Sequence, residues 1–192
     1  MASCTTNCLA PIVKILNQEF EIESGFFHTV HSYTNTQRLV DGVADEIADD
    51  WDASQHIIVS STGAAKAIGW IYPHLDGLLT GTAQRVPTPT VSLLEVFPVL
   101  KKPPSHSRLE ELFRHYASIE PKDGGLKGIL GVEEKPWPSG YFKGNPYSCI
   151  VALPHLRIIG KQVQVVAWYD NVWGYVARLV DLVNYIVAVN SK

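Results

Sequence analysis

No stretch of this 192-residue chain approaches the roughly 18 consecutive apolar residues that a spanning helix needs. The opening MASCTTNCLAP has neither a basic leader nor an apolar signal core, so a soluble, cytoplasmic protein with no membrane partner is expected. Cysteine is scarce. Cys4, Cys8 and Cys149 cannot all pair within one chain, which leaves at least one free thiol and does not fit a disulfide-stapled scaffold. No CxxC, HExxH or Cys/His cluster occurs, and no metal site is expected. Sixteen basic against nineteen acidic residues give a net charge of -3, so no positive field exists to displace counterions from a nucleic acid, and none is expected as a partner. Fourteen glycines include no GxGxxG between a strand and a helix, and no GxxxxGK[ST] is present. The chain carries no recognisable phosphate cradle for a nucleotide.

What is present is an ordinary globular balance, 46% hydrophobic and 18% charged, which excludes global disorder and supports one well-packed core. Ser3 caps a helix whose apolar face repeats through Leu9, Ile12, Ile15 and Leu16. Strands are read at 26–33, 57–60, 79–86, 90–99, 129–133, 147–153 and 162–169. A short helix runs from Thr62 to Pro73, and Ser105 or Ser107 caps another carrying Leu109, Leu112, Phe113 and Tyr116. The last helix follows Gly174, with Leu179, Leu182, Val183 and Ile186 expected to face inward. Helices and strands do not strictly alternate. That pattern predicts an α+β fold, a mixed and largely antiparallel sheet with helices packed on one face, in a single domain over 2–190.

The chemistry concentrates at Ser3-Cys4-Thr5-Thr6-Asn7, where a thiol stands in the first turn of a helix whose free N–H groups and dipole favour a thiolate. In the run His28-Thr29-Val30-His31, alternation sends Thr29 and His31 to one face, and one histidine is placed to reach Cys4. A cysteine at a helix start is also a common packed residue.

Five blocks in order, SCTTNCLAP, TVHSYTNTQ, SSTGAAKAIG, QRVPTPTVS and WYDNVWGY, resemble the glyceraldehyde-3-phosphate dehydrogenase family across 2–190. The likeness is to its catalytic, C-terminal portion, without the Rossmann domain that binds NAD or NADP. It implies that Cys4 is the nucleophile, passing through a thiohemiacetal and a thioester, and that His31 is its base, an imidazolium beside a low-pKa thiol. Thr34, Thr36 and Arg85 then hold the phosphate of a phosphorylated aldehyde. Ser3, Thr5, Thr62 and Gly63 form the inorganic phosphate site, and Asn171 orients the nicotinamide carboxamide. The partners implied are a homo-oligomer or a separate Rossmann-domain segment. The remaining histidines, His28, His56, His74, His106, His115 and His155, receive no role.

Two departures stand out. The run 41–52, DGVADEIADDWD, has six acidic and no basic positions, where the family carries an arginine that completes the inorganic phosphate site. That site is therefore expected to be the weaker of the two, with the acidic run repelling anions from it. The family's WYDNE reads WYDNV, with Val172 replacing a carboxylate. These changes leave open a paralogue acting on another aldehyde or a carrier-bound acyl group, or a non-enzymatic binding subunit.

Overall fold

The computed structural model describes residues 2–43 and 47–191. Helix α1 (Cys4–Phe20) starts where expected: Ser3 is extended, and its Oγ accepts the Thr6 N–H at 3.0 Å. Leu9, Ile12, Ile15 and Leu16 are completely buried, so the periodic face is the core face. The helix ends at Glu21, whose φ of 58° turns the chain, and Lys101 and Lys102 each hold its carboxylate at 3.0 Å.

The chain then continues through β1 (Ile22–Ser32), β2 (Ile58–Ser60), α2 (Ala64–Ile71), β3 (Leu79–Val86), β4 (Ser92–Leu100), α3 (His106–Ser118), β5 (Leu130–Glu133), β6 (Cys149–Ala152), β7 (Arg157–Ile159), β8 (Gln162–Tyr169) and α4 (Trp173–Asn190). The strands join in one sheet in the order β2-β3-β1-β4-β8-β6-β5, with β7 paired beside β8. Five of the pairings are antiparallel, and β1/β3 and β5/β6 are parallel. The fold is α+β with a mixed, mostly antiparallel sheet, as the element pattern predicts. β7 is a strand that the sequence reading does not include.

Alternation decides which side chains meet α1. Along β1, Phe27, Thr29 and His31 are buried while Phe26 stands exposed on the opposite face. On β4 and β8 the buried sets are Leu94 and Val96, and Val163, Val165, Ala167 and Tyr169. The parallel pairing of β1 with β3 needs a close approach at Gly81, where any Cβ would meet the Phe27 carbonyl oxygen at 2.5 Å. That same register sets His31 opposite Arg85.

One expectation about packing is corrected. Leu179, Leu182, Val183 and Ile186 of α4 do not face inward; they are 39%, 41%, 58% and 48% exposed, and Gly174 is the one residue of the helix that is buried. The helical period is right, but the described residues leave much of that stripe uncovered. Among the described residues no helix is long and apolar enough to cross a membrane.

Candidate active site

The N-terminal turn of α1 lies against the end of β1. Cys4 Sγ is 3.3 Å from His31 Nε2, so of the two histidines on β1 it is His31 that meets the thiol, while His28 pairs with Thr82 on the other face. A cavity of about 330 Å³ opens here, lined by Ser3, Cys4, Thr5, His31, Thr62, Gly63 and Arg85. Residues from α1, β1, β3 and the turn before α2 thus converge on one cavity. Among the described residues Arg85 is the one Lys or Arg in that lining.

The hydroxyls have other duties. Ser3 Oγ caps α1 and lies 2.8 Å from Thr6 Oγ1, and Thr62 Oγ1 accepts the Ala64 N–H at 3.3 Å. Thr5 Oγ1 is 2.9 Å from the Tyr169 hydroxyl, itself 2.8 Å from Thr29 Oγ1, which donates to the Leu93 carbonyl. With one hydrogen per hydroxyl, the chain runs from Thr5 to Tyr169 to Thr29 to Leu93. Burial pushes the Tyr169 phenol far up, so it stays protonated. Tyr169 also meets the His31 ring edge-on at 5.9 Å. Sequence reasoning gives Tyr169 and Thr29 no role in the site, although both sit on core-facing positions of their strands within the quoted blocks.

Thr34, Thr36 and Asn171 are not in the cavity lining. Buried Gln37 ties the two threonines together: its Oε1 accepts from Thr34, and its Nε2 donates to Thr36 Oγ1 at 2.9 Å and to Asp49 Oδ1 at 3.3 Å. Asn171 Oδ1 accepts from Ser32 Oγ at 3.0 Å and from the N–H of Val91 at 3.2 Å. Val91 has a φ of 66°, strained for a β-branched residue, and Asn171 holds it there. Among the described residues, the contacts of Asn171 engage its Oδ1 and leave the amide N–H₂ to donate elsewhere.

The electrostatics differ from the imidazolium–thiolate pair that the family likeness implies. Burial holds the His31 imidazole down to about 4; the Ser32 carbonyl, 2.6 Å from Nδ1, works upward, and the Arg85 guanidinium downward. Burial also raises the Cys4 thiol, outweighing its hydrogen bonding at Thr5 and the attraction of Arg85. Both partners are therefore neutral at pH 7, because desolvation outweighs the helix end. Cys8 and Cys149 are completely buried, each against the other, and the Cys8 thiol is raised further by burial and that contact.

The acidic run also acts elsewhere than expected. Residues 44–46 lie outside the described residues, and no described member of 41–52 lines the cavity. Asp41 accepts the Asp52 N–H, Asp52 accepts from Ser54 and Gln55, and Asp49 reaches Gln37. Among its described residues, Asp49 thus reaches the Thr34/Thr36 pair through Gln37, on the segment after β1. Val172 precedes α4, whose first turn is capped instead by Asp170, accepting the N–H groups of Val172 and Trp173. Among the described residues no group of three or more His, Cys, Asp or Glu could hold a metal ion.

Residues 3–171 match the model of the glyceraldehyde 3-phosphate dehydrogenase C-terminal domain. The chain is 46% identical over its full length to 56% of a glyceraldehyde-3-phosphate dehydrogenase of Podospora anserina. It is 41% identical, over 97% of its length, to 54% of glyceraldehyde-3-phosphate dehydrogenase 2 of Bacillus subtilis. Against the testis-specific glyceraldehyde-3-phosphate dehydrogenase of Mus musculus it is 47% identical over 96% of its length and 41% of the relative's. The chain spans about half the length of these curated relatives. With the cysteine and histidine of its first and second blocks brought into contact, and the match running through the whole sheet, the chain belongs to the glyceraldehyde-3-phosphate dehydrogenase family, corresponding to its C-terminal domain.

Proposed function

We propose that this chain supplies the covalent half of a phosphorylating aldehyde dehydrogenase, with Cys4 as nucleophile and His31 as base. The observation that carries this reading is the 3.3 Å contact between Cys4 Sγ and His31 Nε2 inside a cavity that Arg85 also lines. Cys4 Sγ attacks the aldehyde carbon, its proton passes to His31 Nε2, and the imidazole returns that proton to the carbonyl oxygen, giving a neutral thiohemiacetal. Bound NAD or NADP supplies a hydride acceptor, and Asn171, with its N–H₂ to spare, is the residue here that would hold the carboxamide. As the thiohemiacetal is oxidised, His31 takes the hydroxyl proton and a thioester remains on Cys4. An inorganic phosphate oxygen then attacks the thioester carbonyl, the acyl phosphate leaves, and Cys4 recovers its proton from His31. Arg85 and the first-turn N–H groups of α1 are the donors available to the phosphates. The exposed apolar stripe of α4 supports a partner surface, from further chain or a second subunit, that would complete the cofactor site.

A second reading has its own support: a larger cavity of about 510 Å³, with Ala10, Pro11, Ile71 and Leu126 in its walls, shares Ala2, Thr6, Ala67 and Trp70 with the first. An aldehyde with an apolar body would use both.

The reverse acylation tests the cysteine role without a cofactor. Incubation with acetyl phosphate should place a hydroxylamine-labile acetyl group on Cys4, absent in Cys4→Ser and slowed about 100-fold or more in His31→Asn. Acylation that spreads equally over other residues, or survives in Cys4→Ser, overturns the assignment.

A further inference from the structure

The contacts of His31 Nδ1 cannot all be made at once. It lies 2.6 Å from the Ser32 carbonyl, which needs an N–H, and 2.6 Å from an Arg85 Nη, which needs a lone pair. A neutral imidazole offers one or the other. When Nδ1 accepts from Arg85, the hydrogen sits on Nε2, and the nitrogen facing Cys4 cannot take a proton. When Nδ1 donates to Ser32, Nε2 is ready for the thiol, but two N–H groups then face each other. An imidazolium makes matters worse, since both its nitrogens donate and its charge lies against the guanidinium.

The groups facing this ring are Cys4 from α1, Arg85 from β3 and Tyr169 from β8, and none is an anion in the neutral site. Among the described residues, no carboxylate contacts His31 to offset the guanidinium. Arg85 itself is only partly engaged. The same Nη reaches the Ser32 carbonyl at 3.4 Å, and its Nε is buried with no partner among the described residues. That unspent donor lies on a side chain lining the cavity, and a guanidinium fork with free donors fits a two-point anionic acceptor.

We infer that Arg85 is a positioning residue as well as an anion ligand: it holds His31 unable to accept a proton until a phosphate in the cavity draws the guanidinium away. This rests on the dehydrogenase reading above and extends it to substrate selection. A phosphorylated aldehyde, or the inorganic phosphate of the second half-reaction, would bring the group that frees its own base. An aldehyde without an anionic group would meet a thiol and an imidazole locked in their neutral, mismatched forms. The β1/β3 register, with His31 opposite Arg85, makes the two events inseparable.

The test reads His31 directly. Of the seven histidines, its ring signals are identified by their loss in His31→Gln and are followed against pH by NMR, in inorganic phosphate and in chloride at matched ionic strength. Phosphate should raise the His31 midpoint by about one pH unit. Arg85→Gln should raise it similarly with no phosphate present and abolish the response to phosphate, while Arg85→Lys should restore part of that response. Calorimetry on the same samples reports whether phosphate binds. Binding without a shift of His31 overturns the inference and leaves the dehydrogenase reading standing; an unshifted His31 in Arg85→Gln does the same. Failure of phosphate to bind at all removes the anion sites of that reading, and the switch with them.

Discussion

The helices at the two ends of the chain are nearly equal in length and both rich in apolar residues, yet their fates are opposite. α1 lies across the core face of the sheet with Leu9, Ile12, Ile15 and Leu16 fully buried, whereas α4 exposes nearly its whole length. The one residue of α4 that is buried is Gly174, where a Cβ would meet the Tyr147 carbonyl oxygen at 2.6 Å. Apolar content therefore does not fix burial; a complementary surface does. α1 has one within this chain, formed by alternate residues of β1, β4 and β8, and its first turn is tied to the sheet by the Thr5, Tyr169 and Thr29 hydroxyls. The proposed catalytic thiol thus stands on the helix that buries the most residues among the described ones.

The largest expected effect tests that contrast at its centre. Ile12→Ala should cost about 2–5 kcal/mol of stability, since a fully buried side chain leaves both lost transfer energy and a cavity, and urea unfolding monitored by circular dichroism would read it. A loss under about 1 kcal/mol would mean that α1 is not seated as described.

Next comes the pH dependence that the first turn imposes. His31 titrates near 4 in the folded chain against an ordinary 6.5, so between these values the unfolded chain binds a proton that the native one refuses. Stability should therefore fall as pH drops from 6.5 toward 4, by up to about 3 kcal/mol at the lower end. Above 6.5 this contribution is flat. Urea midpoints at several pH values, compared with those of His31→Gln, isolate it: the variant should lose the slope in that window.

Smaller again is the anchor itself. Tyr169→Phe removes a buried hydroxyl and leaves the Thr5 and Thr29 groups short of a partner, costing about 1–3 kcal/mol. Because Thr5 adjoins Cys4, the same change should alter alkylation of Cys4 by iodoacetamide, read by peptide mass spectrometry, with Cys8 and Cys149 unlabelled in the native chain. Cys4 labelling should be slow near pH 7 and still be climbing above pH 9, since burial raises that thiol. The smallest effect closes the comparison: Leu182→Ala in α4 should stay within about 0.5 kcal/mol, a change of the kind that costs several in α1. A loss as large as that of Ile12→Ala would show that α4 is covered by this chain after all.

Much of this architecture is legible along the chain because its signals are local. Ser3 and Ser105 cap the helices they precede, and the runs 79–86 and 162–169 coincide with β3 and β8, since caps and alternation depend only on neighbouring residues. Alternation also put His31 and Thr29 on one face, and the ordered blocks carried the family. What the sequence by itself determined is thus most of the elements, β7 excepted, which strand face is apolar, and which thiol and imidazole are candidates. Tertiary structure alone decided the parallel neighbour that sets Arg85 beside His31, the neutral state of Cys4 and His31, the place of the acidic run, and the exposure of α4. The physical reason is common to all four. Charge state and burial belong to a group's surroundings rather than to the group, and those surroundings are assembled from residues 27 to 164 positions apart in the chain, as the Cys4–His31 and Thr5–Tyr169 contacts show.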